Sequence, residues 1–198
     1  MKTILFSLIV LFGTAFAFTS CKDSDEGATK NIVELAQNTA DLSTLVAAVQ
    51  RAGLVDALSA DGPLTVFAPT NKAFSDLLTS LGFAKLEDVP VDELKNILLN
   101  HVVSGKVKSG DLSTGYVKSL LTFGGTASNI SLYVDLSNGV QVNGSKVTTA
   151  DVEASNGVVH IVDKVIVPPT VVNQALNNPN FSTLVTALTR PDLGVDYV

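Results

Sequence analysis

Tryptophan is absent from this chain, cysteine occurs once, and histidine only twice. The lone Cys21 excludes an internal disulfide framework and a cysteine-based zinc cluster, which both need several thiols. His101 and His160 are the only imidazoles. They are too few to build a metal centre by themselves, and Ser104 stands too near His101 in sequence to be read as its triad partner. No Gly-x-Ser-x-Gly elbow, His-Glu-x-x-His pair or phosphate-binding glycine loop occurs. Positive charge is scarce as well: 13 Lys and Arg against 19 Asp and Glu leave a net charge of −6. The scattered basic residues do not form the patch that nucleic-acid phosphates require. Lys106, Lys108 and Lys118 are their one concentration, suited to acidic glycans or lipid head groups, or to keeping an edge strand soluble. Asp111, Asp135, Asp151, Glu153 and Asp163 lack the one-three-five spacing of a calcium loop and read as solvated surface. No catalytic, cofactor or metal site is therefore expected, and function has to come from a surface or a pocket.

What is present starts with an apolar run from Ile4 to Phe18 behind Lys2, too short and too N-terminal for a convincing membrane span. It reads as an export signal over residues 1–20. Phe18-Thr19-Ser20-Cys21 resembles a lipobox, in which Cys21 becomes the acylated first residue and anchors the chain to a membrane. Ala15-Phe16-Ala17 offers the other reading, ordinary signal-peptidase cleavage leaving Cys21 as a free thiol. Residues 22–30 are polar and acidic without apolar periodicity, as in a disordered tether. A lysine followed by acidic residues directly after the cysteine resembles the surface-export signal of lipoproteins in some diderm bacteria, so the expected location is the outer membrane, displayed on the cell surface.

The remaining length, with 46% hydrophobic residues in the whole chain of 198, suffices for one packed domain and is short for two. Its first half is helical in pattern. Asn31 and Glu34 are spaced as a capping box, Asp41 is placed to cap a helix striped by Leu42, Leu45, Val46 and Val49, and Gly53 supplies a left-handed stop. Val91 to Leu99 also reads as helix. The second half changes period. Val117–Phe123, Ile130–Leu136, Val140–Val147 and Val158–Val167 are strand-like, punctuated by Gly124-Gly125, Asn138-Gly139, Asn143-Gly144 and Asn156-Gly157. Helices first and strands later predict an α+β fold.

Between the halves lies the most specific stretch, Thr65-Val66-Phe67-Ala68-Pro69-Thr70-Asn71-Lys72-Ala73-Phe74. Strand alternation runs into Pro69, which ends both ladder donation and helical geometry at Ala68. Thr70 or Asn71 then caps an amphipathic helix carrying Phe74, Leu77 and Leu78. This stretch resembles the signature of the fasciclin domain family. Ile97 to Gly105 resembles the family's central Tyr-His segment, and Asn156 to Pro169 its closing strand, so the resemblance covers about residues 31–169. It implies a β-wedge or sandwich flanked by helices. Thr65, Phe67, Ala68, Pro69, Thr70, Asn71, Phe74, His101 and His160 would be architectural, with Thr70 or Asn71 as polar partner of His101. Asn100 stands where the family's Tyr is usual, in a dipeptide implicated in integrin binding in animal relatives; that makes Asn100 and His101 candidates for partner contact.

Phe181-Ser182-Thr183-Leu184-Val185 echoes Leu42-Ser43-Thr44-Leu45-Val46, and the matches Ala175 to Ala36 and Arg190 to Arg51 extend the echo. Residues 170–198 thus read as the start of a second, incomplete fasciclin-like repeat or as a helical tail. The resemblance implies adhesion or binding to an extracellular polysaccharide, matrix or cell-surface protein, without reaction. The alternatives are a surface hydrolase using His101 or His160 and a small-ligand carrier.

Overall fold

Asn31 opens α1 (Ile32–Gln37) with the capping box that its spacing to Glu34 predicts. The Glu34 backbone N–H donates to the Asn31 side chain, and the Asn31 backbone N–H donates to the Glu34 carboxylate, each at 2.9 Å. The structure, a computed structural model, describes residues 30–122 and 127–168 together with Thr183 and Thr186. Cys21 and its leader, the tether before Lys30, the Gly124-Gly125 turn and Phe181 with its echo lie outside the described residues.

The next helix corrects the reading of Asp41. Residues Ala40–Leu42 form a 3-10 turn ahead of α2 (Ser43–Arg51), and no neighbouring side chain caps that helix. Its cap comes from another element. Asn71, the first residue of α4 (Asn71–Leu81), accepts the Thr44 N–H at 2.8 Å and donates to the Ala40 carbonyl and the Ser43 hydroxyl, both at 3.0 Å. An orphan donor at the start of α2 is satisfied by a side chain that pins α2 to α4. Gly53 ends α2 at φ 65°, in the left-handed region where it carries no Cβ penalty, and α3 (Val55–Ser59) follows. Thr70 caps α4 by accepting the Ala73 N–H at 3.2 Å.

Seven strands then close on themselves. They are β1 (Leu64–Pro69), β2 (Val102–Ser104), β3 (Gly115–Thr122), β4 (Asn129–Asp135), β5 (Gln141–Val142), β6 (Ser145–Ala154) and β7 (Gly157–Val162). Neighbours in sequence pair antiparallel from β1 to β7, with α4 and α5 (Val91–Asn100) between β1 and β2. The ring shuts by parallel pairing of β1 with β7, from Leu64↔Gly157 to Pro69↔Val162. The α+β class holds, and the expected wedge or sandwich is a closed barrel with helices against one side. The Val140–Val147 run is not one strand. Asn143 and Gly144, at φ 48° and 76°, turn it into the β5–β6 hairpin, and β6 runs on to Ala154. The Val158–Val167 run likewise stops as a strand at Val162 and continues as a strap over residues 163–168.

Two cores result. Leu42 of the 3-10 turn and Leu45 and Val49 of α2 pack with Phe74, Leu94, Leu98, Val66, Ala68 and Val159 between helices and barrel wall. Phe67, Leu132, Val134, Val142, Val162 and Ile166 fill the barrel interior. Strand β1 divides them, sending Val66 and Ala68 one way and Phe67 the other, which is why nearly all of it is apolar and buried.

Asn71→Ala should lower stability by about 1–2 kcal/mol, through the lost cap and the unpaired Thr44 N–H. Asp41→Ala should stay within about 0.5 kcal/mol of the parent. Urea melts of the two variants check this, and the reverse order would return the cap to Asp41.

Candidate functional site

His101 follows the last turn of α5 and is 1% exposed. Its Nδ1 lies 2.7 Å from the Ile97 carbonyl, and its Nε2 lies 2.8 Å from the backbone N–H of Ile166 on the strap. A carbonyl only accepts and an amide N–H only donates, so Nδ1 carries the proton and Nε2 keeps its lone pair. The ring is a neutral bridge between α5 and the strap. Thr70 and Asn71, the expected partners, are engaged elsewhere: Thr70 caps its own helix, and Asn71 caps α2. Beside it Asn100, 0% exposed, donates from Nδ2 to the Ile166 carbonyl at 3.0 Å and accepts from the Ser119 hydroxyl at 3.4 Å. Consecutive residues therefore grip both polar groups of Ile166. Neither side chain reaches a surface, so Asn100 and His101 are not available for partner contact in this fold.

His160 on β7 is 0% exposed and stacks on Phe67, with ring centroids 5.5 Å apart. Its Nε2 is 2.9 Å from the Val107 carbonyl, and its Nδ1 accepts from the Asp151 N–H at 3.2 Å. The tautomer is opposite to that of His101, again because each nitrogen faces a backbone group of fixed sense. Asp151 sits at φ 60°, and its carboxylate takes the Ser109 N–H at 2.7 Å and the Ser109 hydroxyl. Those Ser109 bonds hold its carboxyl below the usual carboxylate range. Serine, aspartate and histidine thus come close together, but in an order unlike a nucleophile relay. The aspartate binds the serine through its side chain and the histidine through its backbone, and no imidazole nitrogen is left to act as base.

The other signature residues are architectural. The Thr65 hydroxyl donates to the Gly105 carbonyl at 2.6 Å and accepts the Val107 N–H at 2.9 Å, fastening the loop that also carries the His160 partner. Phe67, Ala68 and Phe74 are each 1% exposed, and Pro69 ends β1 opposite Val162. Sequence reasoning missed Asn156 as an anchor. It accepts the Ile32 N–H and donates to the carbonyls of Leu58 and Ala60, all at 2.9 Å, joining α1 and α3 to the β6–β7 turn. Asn before Gly marks a turn and the start of the closing strand in the sequence, while its anchoring partners are main-chain groups of α1 and of α3 and its C-cap. Gly157 has its own constraint, since a Cβ there would lie 1.9 Å from the Leu64 carbonyl oxygen.

On the surface, Lys106 and Lys108 share Glu153 at 3.2 and 2.6 Å, which lowers the Glu153 pKa and raises that of Lys108. Beside the helical core lies an apolar cavity of about 30 Å³ walled by Ile32, Leu45, Val66, Leu98 and His101. That space is near the size of a single water, far below the several hundred Å³ of a small-ligand pocket. A polar groove of about 650 Å³ runs past Asn31, Glu34, Asp61, Lys106 and Asn156. Among the described residues, no group of three or more His, Cys, Asp and Glu is close enough to hold a metal ion, and no helix is long and apolar enough to cross a membrane.

Burial lowers the His101 pKa from 6.5 to about 4, the Ile97 hydrogen bond opposing in part. Between those values the unfolded chain binds a proton that the native state refuses. Stability contributed by neutral His101 is complete above pH 6.5 and falls as pH drops toward 4, by up to about 1.4 kcal/mol per pH unit. Urea melts from pH 7 to 4.5 should show this slope, and His101→Gln, whose amide retains a donor and an acceptor, should flatten it. Equal slopes in parent and variant would place the imidazole in solvent.

A fasciclin domain profile matches residues 40–168. Protein sll1483 of Synechocystis sp. is 46% identical over 139 residues, covering 70% of this chain and 73% of that protein. Transforming growth factor-beta-induced protein ig-h3 of Sus scrofa is 36% identical over 163 residues, covering 80% of this chain but 22% of the relative. Among solved structures, a FAS1 domain pair from the insect cell adhesion molecule fasciclin I aligns with a TM-score of 0.52 at 19% identity, over 74% of this chain and 52% of that one. With a profile match that runs from the 3-10 turn before α2 through the barrel to the strap, and a relative 46% identical over 139 residues, the chain belongs to the fasciclin domain family.

Proposed function

We propose that this chain is a surface-displayed adhesion module, anchored through lipid on Cys21, that binds an extracellular polysaccharide, matrix component or cell-surface protein without turning it over. The observation that carries the reading is the engagement of all four imidazole nitrogens by backbone groups. The hydrolase alternative needs one of them free at a cleft. The carrier alternative needs more room than the cavity beside His101 offers. Likeness to a cell adhesion molecule, fasciclin I, supports the same side, although a fold alone does not name a ligand. Residues 170–198 belong to the proposal as the opening of a second repeat.

A tether of the length and polarity of residues 22–30 fits this role. Many copies on one membrane raise the effective concentration of each contact, so affinities of about micromolar to millimolar can still hold two surfaces together.

Cys21→Ala should move the protein from the membrane fraction to the soluble fraction, and mass spectrometry of the parent should find diacylglycerol on Cys21. A mature N-terminus upstream with an unmodified thiol would refute the anchor. Beads densely coated with the chain should adhere to matrix or cells where the free monomer binds weakly, with no turnover of ester, glycoside or peptide panels. Turnover lost on changing His101 or His160, in a variant that still folds, would replace adhesion with catalysis.

A further inference from the structure

The dipeptide Asn-Gly occurs three times, at Asn138-Gly139, Asn143-Gly144 and Asn156-Gly157. In sequence the three are chemically alike. A glycine without Cβ leaves its backbone nitrogen open to the carboxamide of the asparagine before it, and that nitrogen can attack the asparagine Cγ and expel the amide. An unfolded chain therefore has three comparable sites of amide loss. The fold makes them unequal.

Asn156 is 8% exposed and its carboxamide is fully engaged, with Oδ1 accepting the Ile32 N–H and Nδ2 donating to the carbonyls of Leu58 and Ala60, all at 2.9 Å. The Leu64 main chain crowds Gly157 so closely that even a Cβ would lie 1.9 Å from the carbonyl oxygen, which leaves no room for a new ring. Asn143 is held in another way. Its Oδ1 accepts the Tyr133 N–H at 2.7 Å, its own N–H donates to the Tyr133 carbonyl at 2.8 Å, and its Nδ2 is buried. Turning its Cγ toward the Gly144 nitrogen breaks the side-chain bond to β4. Both sites react only after the structure around them opens.

Asn138 lies in the loop between β4 and β5, exposed and flanked by exposed Ser137 and Gly139. The anchors of this loop belong to its neighbours. The Asp135 carboxylate takes the Ser137 N–H and hydroxyl, each at 2.9 Å, the Leu136 N–H donates to the Thr114 hydroxyl at 3.3 Å, and one isolated backbone bridge joins Ser137 and Gly139. The Asn138 carboxamide itself makes no hydrogen bond to the described residues. Around Gly139, at φ 86°, nothing stands within 4 Å of where a Cβ would be. A ring can close there, and water can reach it.

We propose that Asn138 is a self-modifying site, the one Asn-Gly that deamidates while the protein stays folded. The Gly139 N–H gives its proton to solvent and its nitrogen bonds to the Asn138 Cγ. The Cγ–Nδ2 bond breaks, and the amide leaves as ammonia with a proton returned by solvent, so a succinimide ring remains. Water then opens the ring and the Gly139 nitrogen recovers a proton. Opening at Cγ gives aspartate; opening at the main-chain carbonyl gives isoaspartate, with one more methylene in the backbone. Nothing is oxidised or reduced, and water is the sole co-reactant. Either product adds a carboxylate beside Asp135, so the charge of this loop records the age of the molecule. The assignment does not depend on the adhesion reading.

Ageing the purified full chain in mildly alkaline buffer tests it, with peptide mapping by fragment ions that locate each change and isoaspartyl methyltransferase as a probe for isoaspartate. In the folded chain, amide loss at Asn138 should outrun that at Asn143 and Asn156 by at least about tenfold, because those two wait for local opening. In concentrated urea the three rates should converge. Anion exchange should resolve a more acidic species that grows with time, and Asn138→Gln should abolish both it and the isoaspartate label while melting with the parent. Equal rates at the three sites in the folded chain overturn the assignment, as does an acidic species that survives Asn138→Gln. A lead for Asn138 that persists undiminished in urea assigns the difference to neighbouring residues and overturns protection by the fold.

Discussion

Everything in this domain is arranged around one strand that has to be covered twice. β1 pairs with β2 on one edge and with β7 on the other, and the β7 pairing is parallel. A parallel partner cannot be reached by a tight turn, so nearly the whole domain is interposed between the two strands. A parallel pair also exposes no face willingly, and here one face meets the helices and the other meets the barrel interior. The closeness of that pairing explains Gly157, where no side chain fits against Leu64, and Thr70, whose N–H continues the ladder to Val162 at 3.2 Å. Closure of the ring leaves the short β5 as its least supported member, with the left-handed Asn143-Gly144 turn fixing its hairpin.

The two histidines show how a residue suited to catalysis is turned to structure. Each imidazole lies between one backbone carbonyl and one backbone N–H, so its tautomer is dictated and its proton has nowhere to go. A neutral ring can satisfy a donor and an acceptor at the same time, which no apolar residue does and which a lysine or carboxylate would do only at the cost of a buried charge. The bridges span long separations in sequence, 65 residues for His101 to Ile166 and 53 for His160 to Val107. Imidazoles are used here as cross-links between distant segments.

What could be seen in the sequence follows the range of the interactions. Strand, Pro69, Thr70 cap and α4 are local, and they lie as the residues predict. So do the Asn31–Glu34 box and the Gly53 stop. Asp41 misled because the cap of α2 comes from Asn71, 27 residues beyond Thr44, and local spacing contains no trace of it. The β5–β6 hairpin is marked locally by Asn143-Gly144, and Val147 falls out of phase with Val140 and Val142, so the strand-like run 140–147 divides at that turn. Barrel closure was not legible at all, because the partner of β1 is set by packing over the whole domain. At the candidate site, burial of both histidines could be inferred from their apolar neighbours, but their partners are main-chain atoms, which carry no residue identity to recognise.

One further consequence comes from where the chain joins β7. Just before that strand, the Lys30 carbonyl accepts the Ser155 N–H at 2.9 Å and the Ile32 N–H is held by Asn156. Just after it, the strap is gripped at Ile166 by Asn100 and His101. A pull between the segment before Lys30 and the segment after Pro168 is therefore delivered near opposite ends of one strand and acts along its length. Under such a load the ladders to β1 and β6 are strained in shear, many bonds together, instead of being peeled open one after another. The strand that closes the ring, β7, doubles as its tension member.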